Sequence, residues 1–141
     1  MSRDHKMDLL SQVSLFARCS TKELKHIASL VDQVAVPAGR PLITADSTGQ
    51  EAFVVVEGEA DVAVDGNIIN TVGVGTSIGE MSLLDHSLMR SATVTAKSDM
   101  QLLVIGPREF DALISKHPDV LRGIAAELAR RLHAATHRPL G

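Results

Sequence analysis

Glu80, Arg90 and Ser91 are the residues of this chain whose types and spacing suit joint chemistry. They lie in Gly-Glu-Met-Ser-Leu-Leu at 79–84 and Arg-Ser-Ala-Thr-Val at 90–94. A Gly-Glu turn that opens a short helix leaves backbone N–H groups unpaired, here from Glu80 through Met81 to Ser82. Those donors and the helix dipole favour an anion. Arg90 adds a planar, permanently charged fork for the same anion, and the Ser91 hydroxyl adds one more donor. Glu80 would repel a phosphate, but it accepts hydrogen bonds from a hydroxyl such as that of a sugar. Donors for phosphate beside an acceptor for hydroxyl describe a nucleotide-sized ligand, read at its sugar–phosphate end. A plainer reading stands beside this one, in which Glu80 and Arg90 pair across a turn that Gly79 merely permits.

The rest of the chain must position this stretch. At 141 residues and 45% hydrophobic content, a single domain over 1–141 is expected, with a core that needs no staples. Three Phe and no Tyr or Trp leave Val, Ile, Leu, Ala and Met to build that core. So few aromatics argue against base stacking on single-stranded nucleic acid. A net charge of −3 offers no general attraction to DNA or an anionic membrane. The lone Cys19 excludes an internal disulfide, a four-cysteine zinc site and a cysteine-ligated iron–sulfur cluster. No signal peptide is visible after Met1. No run approaches the roughly 20 apolar residues that span a bilayer. The expected location is the cytoplasm.

Apolar residues at Leu9, Leu10, Val13, Phe16 and Ala17 have helical spacing over 8–18. Ser20 and Glu23 form a capping-box pattern ahead of Leu24, Ile27, Ala28 and Val31, so N-terminal helices are expected over 8–31. From 34 to 106 the pattern becomes that of strands: Val34 and Val36, a short strand at Leu42-Ile43, and a β-branched run at 52–56 that reads as buried on both faces. Asp65-Gly66 between two alternating runs predicts a type I′ hairpin. Strand-like segments follow at 91–96 and 100–105. Helices return over 107–136, with Pro107 and Pro118 at helix starts and a stripe of Val120, Leu121, Ile124, Ala125, Leu128 and Leu132. Helices, seven or eight short strands with glycine turns, then helices: the order predicts a mainly β chain with flanking helices, closed into a barrel or jelly-roll-like structure.

The segment 77–94 resembles the phosphate-binding cassette of the cyclic nucleotide-binding domain family, whose members include catabolite activator proteins, protein kinase A regulatory subunits and cyclic nucleotide-gated channels. Leu15-Phe16, Leu24 and Ile27-Ala28 are similar to the family's N-terminal helices. Gly39, Gly49, Phe53 to Val56, Gly58 and Val62 fit its strand-and-glycine framework, and Phe110, Pro118 and Leu132 its closing helices. The resemblance covers roughly 9–135. It departs at Ile78, Ser82 and Met89, where many members have Phe, Ala and Pro.

The resemblance implies an eight-stranded β-roll holding cyclic AMP or, less favoured, cyclic GMP. Glu80 would accept from the ribose 2′-OH. Arg90 and Ser91 would hold the cyclic phosphate, joined by backbone N–H groups near Met81 and Ser82, and Gly79 and Ala92 complete the expected ligand-binding set. The C-terminal helix would close over the base, with Arg130 or Arg131 stacking on it, or those arginines are simply a solvated helix end. The activity implied is sensing by movement of that helix, without catalysis, metal or cofactor. The transcription-factor branch carries a helix-turn-helix after the closing helix, and the sequence given stops at Gly141, so output through a protein partner or through ligand buffering is expected and direct DNA binding is not. Two alternatives remain. One is the same fold acting as a nucleotide-independent protein-interaction module. The other is a cupin-like metal enzyme, disfavoured because His5, His26, His86, His117, His133 and His137 are scattered.

Overall fold

A computed structural model describes residues 3–13, 16–45, 50–79, 81–85 and 90–136. Two helices, α1 (Arg3–Ser11) and α2 (Thr21–Leu30), lead into β1 (Asp32–Val36), β2 (Pro41–Ile43), β3 (Ala52–Glu57), β4 (Ala60–Val64), β5 (Asn67–Val72) and β6 (Ser77–Ile78). A single turn of helix, α3 (Met81–Leu84), precedes β7 (Thr93–Ala96) and β8 (Met100–Ile105). The chain closes with α4 (Pro107–Lys116) and α5 (Pro118–Thr136). The eight strands form two antiparallel sheets, ordered β1-β8-β3-β6 and β2-β7-β4-β5. This is the expected mainly β roll with helices at its ends.

Alternation along β3 and β8 builds two cores from one sheet. Side chains of a strand point to opposite faces in turn. Val55 of β3 and Met100 and Leu102 of β8 join Val36, Ile43, Ala60, Ile78, Val94 and Ala96 between the sheets. Ala52, Val54 and Val56, with Leu103 and Ile105, face the other way. There they meet Leu10, Val13 and Phe16 of the N-terminal segment, Ile27 and Ala28 of α2, Leu83 of α3, Phe110 and Leu113 of α4, and Val120 and Ile124 of α5. The β-branched run at 52–56 is dense because both its faces are buried.

Local chemistry sets the element ends. Ser20 Oγ accepts from the Glu23 N–H (3.2 Å), and the Ser20 N–H donates to Glu23 Oε1 (2.7 Å), which completes the capping box of α2. Asp65 and Gly66 have φ of 52° and 80°, as a type I′ turn between β4 and β5 requires. Pro107 opens α4 from a Gly106 N-cap, where its missing N–H costs nothing. The first helix differs from the expected 8–18. It runs from Arg3 to Ser11, and the Gln12 and Val13 N–H groups then bond back to Leu9 and Leu10 carbonyls at 3.1 Å each, a tightening i→i+3 pattern. Val13 and Phe16 therefore reach the core from turns, and Ala17 is exposed. Leu15 and Gly49 lie outside the described residues. In the α5 stripe, Val120 and Ile124 are buried, whereas Leu121 and Leu132 are 39% and 66% exposed. No helix among the described residues is long and apolar enough to cross a membrane.

The turn after β3 presses on the turn between β7 and β8. Gly58 has φ of 89°, and a Cβ there would stand 2.3 Å from the Asp99 carbonyl oxygen. Gly58→Ala is expected to lower stability by more than about 1 kcal/mol, from combined φ strain and clash. A urea midpoint at unchanged m-value measures it.

Candidate functional site

The Arg90 guanidinium is buried, at 7% exposure, although its charge favours water. Its Nη2 donates to the Glu51 carbonyl oxygen (2.7 Å) and its Nη1 to that of Gly79 (3.1 Å). Strand pairing brings those acceptors together. Phe53 of β3 lies opposite Ile78 of β6, so the residue preceding β3 and the residue following β6 meet at one end of the pair. Arg90 itself leads into β7, in the second sheet. Its side chain thus joins the mouths of the two sheets.

Gly79 is needed for two reasons. Its φ is 80°, and a Cβ would lie 2.6 Å from Arg90 Nη1 and 2.9 Å from the Glu51 carbonyl oxygen. The turn can wrap this closely around the guanidinium only without a side chain. Met81 and Ser82 follow at the start of α3, and Leu83, on the same turn, enters the helix-side core. Ser91 is exposed and Ala92 half-buried beside Arg90. Thr93 anchors the next position, its Oγ1 accepting from the Ala45 N–H at 3.0 Å. Glu80, expected to accept from a hydroxyl, lies outside the described residues, as do His86, Met89 and His137.

Arg130 and Arg131 stand apart from this arrangement on the distal half of α5, where both pair with Glu127 on their own helix, at 2.5 and 3.5 Å. Exposed pairs of this spacing add only a few tenths of a kcal/mol, about 0.3–0.5. No group of three or more His, Cys, Asp or Glu among the described residues is placed to hold a metal ion. Burial, with Glu23 nearby, pushes the Cys19 thiol up to about 11, which leaves little thiolate near neutral pH. Sequence reasoning did not find the Glu51 and Gly79 carbonyls. Backbone acceptors carry no residue-type signal, and only the β3–β6 register reveals them.

A buried arginine at the mouth of a β-roll, held by backbone carbonyls and wrapped by a glycine turn, is the central feature of the candidate site. The chain matches the cyclic nucleotide-binding domain family over residues 33–117 and belongs to that family. It is 33% identical over 113 residues to the Pycsar effector protein XpPycTIR of Xanthomonas perforans, a match covering 80% of this chain and 37% of that protein. It is 32% identical over 126 residues to the Cyclic AMP receptor protein of Thermus thermophilus, covering 86% of this chain and 58% of that one. The chain spans only about a third of the length of the effector proteins it matches, at 37%, 35% and 30%. Among solved structures, the N-terminal domain of a transcriptional regulator from Streptomyces coelicolor A3(2) superposes with a TM-score of 0.79 at 28% identity, covering 92% of this chain and 93% of that one.

Gly79→Ala is expected to displace either Arg90 or the Glu51 carbonyl. Strain of this kind costs on the order of 1–3 kcal/mol, and it should weaken binding of a cyclic nucleotide by tenfold or more. Paired measurements of melting temperature and ligand affinity check both effects.

Proposed function

We propose that this domain is a sensor that binds cyclic AMP, in preference to cyclic GMP, and signals through α5 to a protein partner without catalysing a reaction. The observation that carries the reading is Arg90, buried at 7% exposure and held between the Glu51 and Gly79 carbonyls. A permanent cation kept out of bulk water needs anionic or dipolar company. The Glu51 and Gly79 carbonyls are dipolar company, and in this reading the cyclic phosphate adds an anion, with the Ser91 hydroxyl and the backbone N–H groups of Met81 and Ser82 as further donors. Glu80 accepts from the ribose 2′-OH, Gly79 and Ala92 leave room for the sugar–phosphate ring, and Arg130 or Arg131 covers the base when α5 closes. The name of the Thermus relative supports cyclic AMP as the ligand.

The coupling to α5 rests on packing. Leu83 follows the turn at Gly79 and shares one buried cluster with Phe110 and Leu113 of α4 and with Val120 and Ile124 of α5. Ligand drawing α3 towards Arg90 moves a side chain that these helices enclose, and a ligand that favours one position of α5 shifts its population.

Calorimetry comparing cyclic AMP, cyclic GMP and 5′-AMP tests ligand class, base choice and the need for a cyclic phosphate together. Cyclic AMP is expected to bind in the micromolar range, about −8 kcal/mol, and 5′-AMP far more weakly. Arg90→Ala should cost roughly 2–5 kcal/mol of that binding. An unchanged affinity in a folded Arg90→Ala variant sinks the assigned site. In the same preparation, ligand should slow hydrogen exchange across α5, and unchanged protection there counts against the closing helix.

A further inference from the structure

We propose that His26 and His117 form a pH-sensitive catch, which fastens α2 to the junction of α4 and α5 at neutral pH and releases it in mild acid. His26 sits in α2, and His117 is the single residue between the end of α4 and Pro118 at the start of α5. The two rings meet edge-on, with centroids 5.1 Å apart and planes at 65°. His117 is pinned by its own backbone: its N–H bonds to the Leu113 carbonyl at 2.8 Å, and its carbonyl accepts from the Val120 N–H at 3.0 Å. The contact thus ties α2 to the point about which α5 would swing.

A neutral imidazole suits this contact and a charged one does not. The Nδ1 atom of His26 is buried and has no hydrogen-bond partner among the described residues. In the neutral ring that nitrogen can remain an unprotonated acceptor, whereas in the cation both nitrogens must donate. Protonation would create a buried donor without an acceptor, against a second imidazole. Surrounding charge adds to this. Lys22, Glu23 and Lys25 share α2, while α1 carries Asp4, His5, Lys6 and Asp8. The α4 side presents Lys116 and His117, and the first turn of α5 carries Asp119. Glu23 is committed to the Ser20 N–H and Lys6 to the Val31 carbonyl. Burial, then Lys116, then His117 hold the His26 imidazole below its ordinary value of 6.5.

A lowered value in the packed state means that packing favours the neutral ring. The catch is at full strength above about 6.5 and weakens as pH falls through that value towards the lower one of the packed state. Ile27 and Ala28, adjoining His26, lie in the same buried cluster as Phe110, Leu113, Val120 and Ile124. Release therefore loosens the floor on which α4 and α5 rest. The effect on nucleotide affinity rests on the reading of α5 as the closing element, but the catch itself does not.

The test uses the 141-residue chain. The His26 ring signal, followed by NMR against pH, is expected to titrate below 6.5, and His26→Phe assigns it. Between pH 7.5 and 5.5 the wild type is expected to lose about 3 °C more in Tm than His26→Phe, with protection factors for hydrogen exchange over 107–124, taken relative to the intrinsic rate at each pH, falling at least threefold only in the wild type. Lys116→Gln, which keeps the ring, should raise the His26 midpoint and shrink the Tm loss, and it serves if His26→Phe does not fold. A His26 midpoint at or above 6.5, or the same Tm loss in wild type and variants, overturns the catch. Catch release with a cyclic AMP affinity independent of pH supports the catch and overturns the coupling to α5.

Discussion

Everything at the mouth of the roll depends on keeping one guanidinium out of water. A buried charge is costly unless it is hydrogen-bonded, and Arg90 donates to two backbone carbonyls. Carbonyls at the ends of paired strands cannot rotate away. The charge is therefore aimed by the sheet, and the sheet must hold the β3–β6 register for the aim to be kept. Gly79 follows from the same constraint, since any side chain at that position would occupy the space of the guanidinium or of its acceptor.

The helical side depends on the roll in turn. The sheet containing β3 and β8 forms a wall of the roll interior and also the floor for α2, α4 and α5. Leu83 enters that floor a few residues after Gly79, so the segment that would meet a ligand is also a packing element of the helices. Close-packed cores transmit small displacements because they leave few voids to absorb them. Leu83 and the buried residues of α5 lie in one cluster, so the turn after Gly79 and the last helix share neighbours.

Much of this was legible in the residues, and what escaped has identifiable causes. Period-two alternation and the Asp65-Gly66 pair marked the strands and one hairpin well, since sterics at positive φ leave few residue choices. The Ser20–Glu23 box marked the start of α2 for the same local reason. The first helix starts and ends earlier than its apolar period suggests, because Val13 and Phe16 follow a helical period yet reach the core from tight turns. Leu121 and Leu132 belonged to an apolar stripe, but the body of the molecule extends under only part of α5. At the candidate site, Arg90, which the structure buries, was visible from its type and setting. Its carbonyl holders were not, because they are fixed by pairing between segments far apart in sequence. The contact of His26 with His117 was hidden likewise, since it joins α2 to the α4–α5 junction, far apart in sequence.

The double use of β3 limits how this domain can diverge. Val55 faces the roll interior, while Val54 and Val56 on either side of it face the helices. A slip of one residue would exchange those roles all at once. Neither surface can drift alone, so the lining of the roll interior and the bed that supports the helices are inherited together. Divergence in ligand choice or output is then cheapest in the segments outside this strand: the turns at the mouth of the roll and the exposed length of α5.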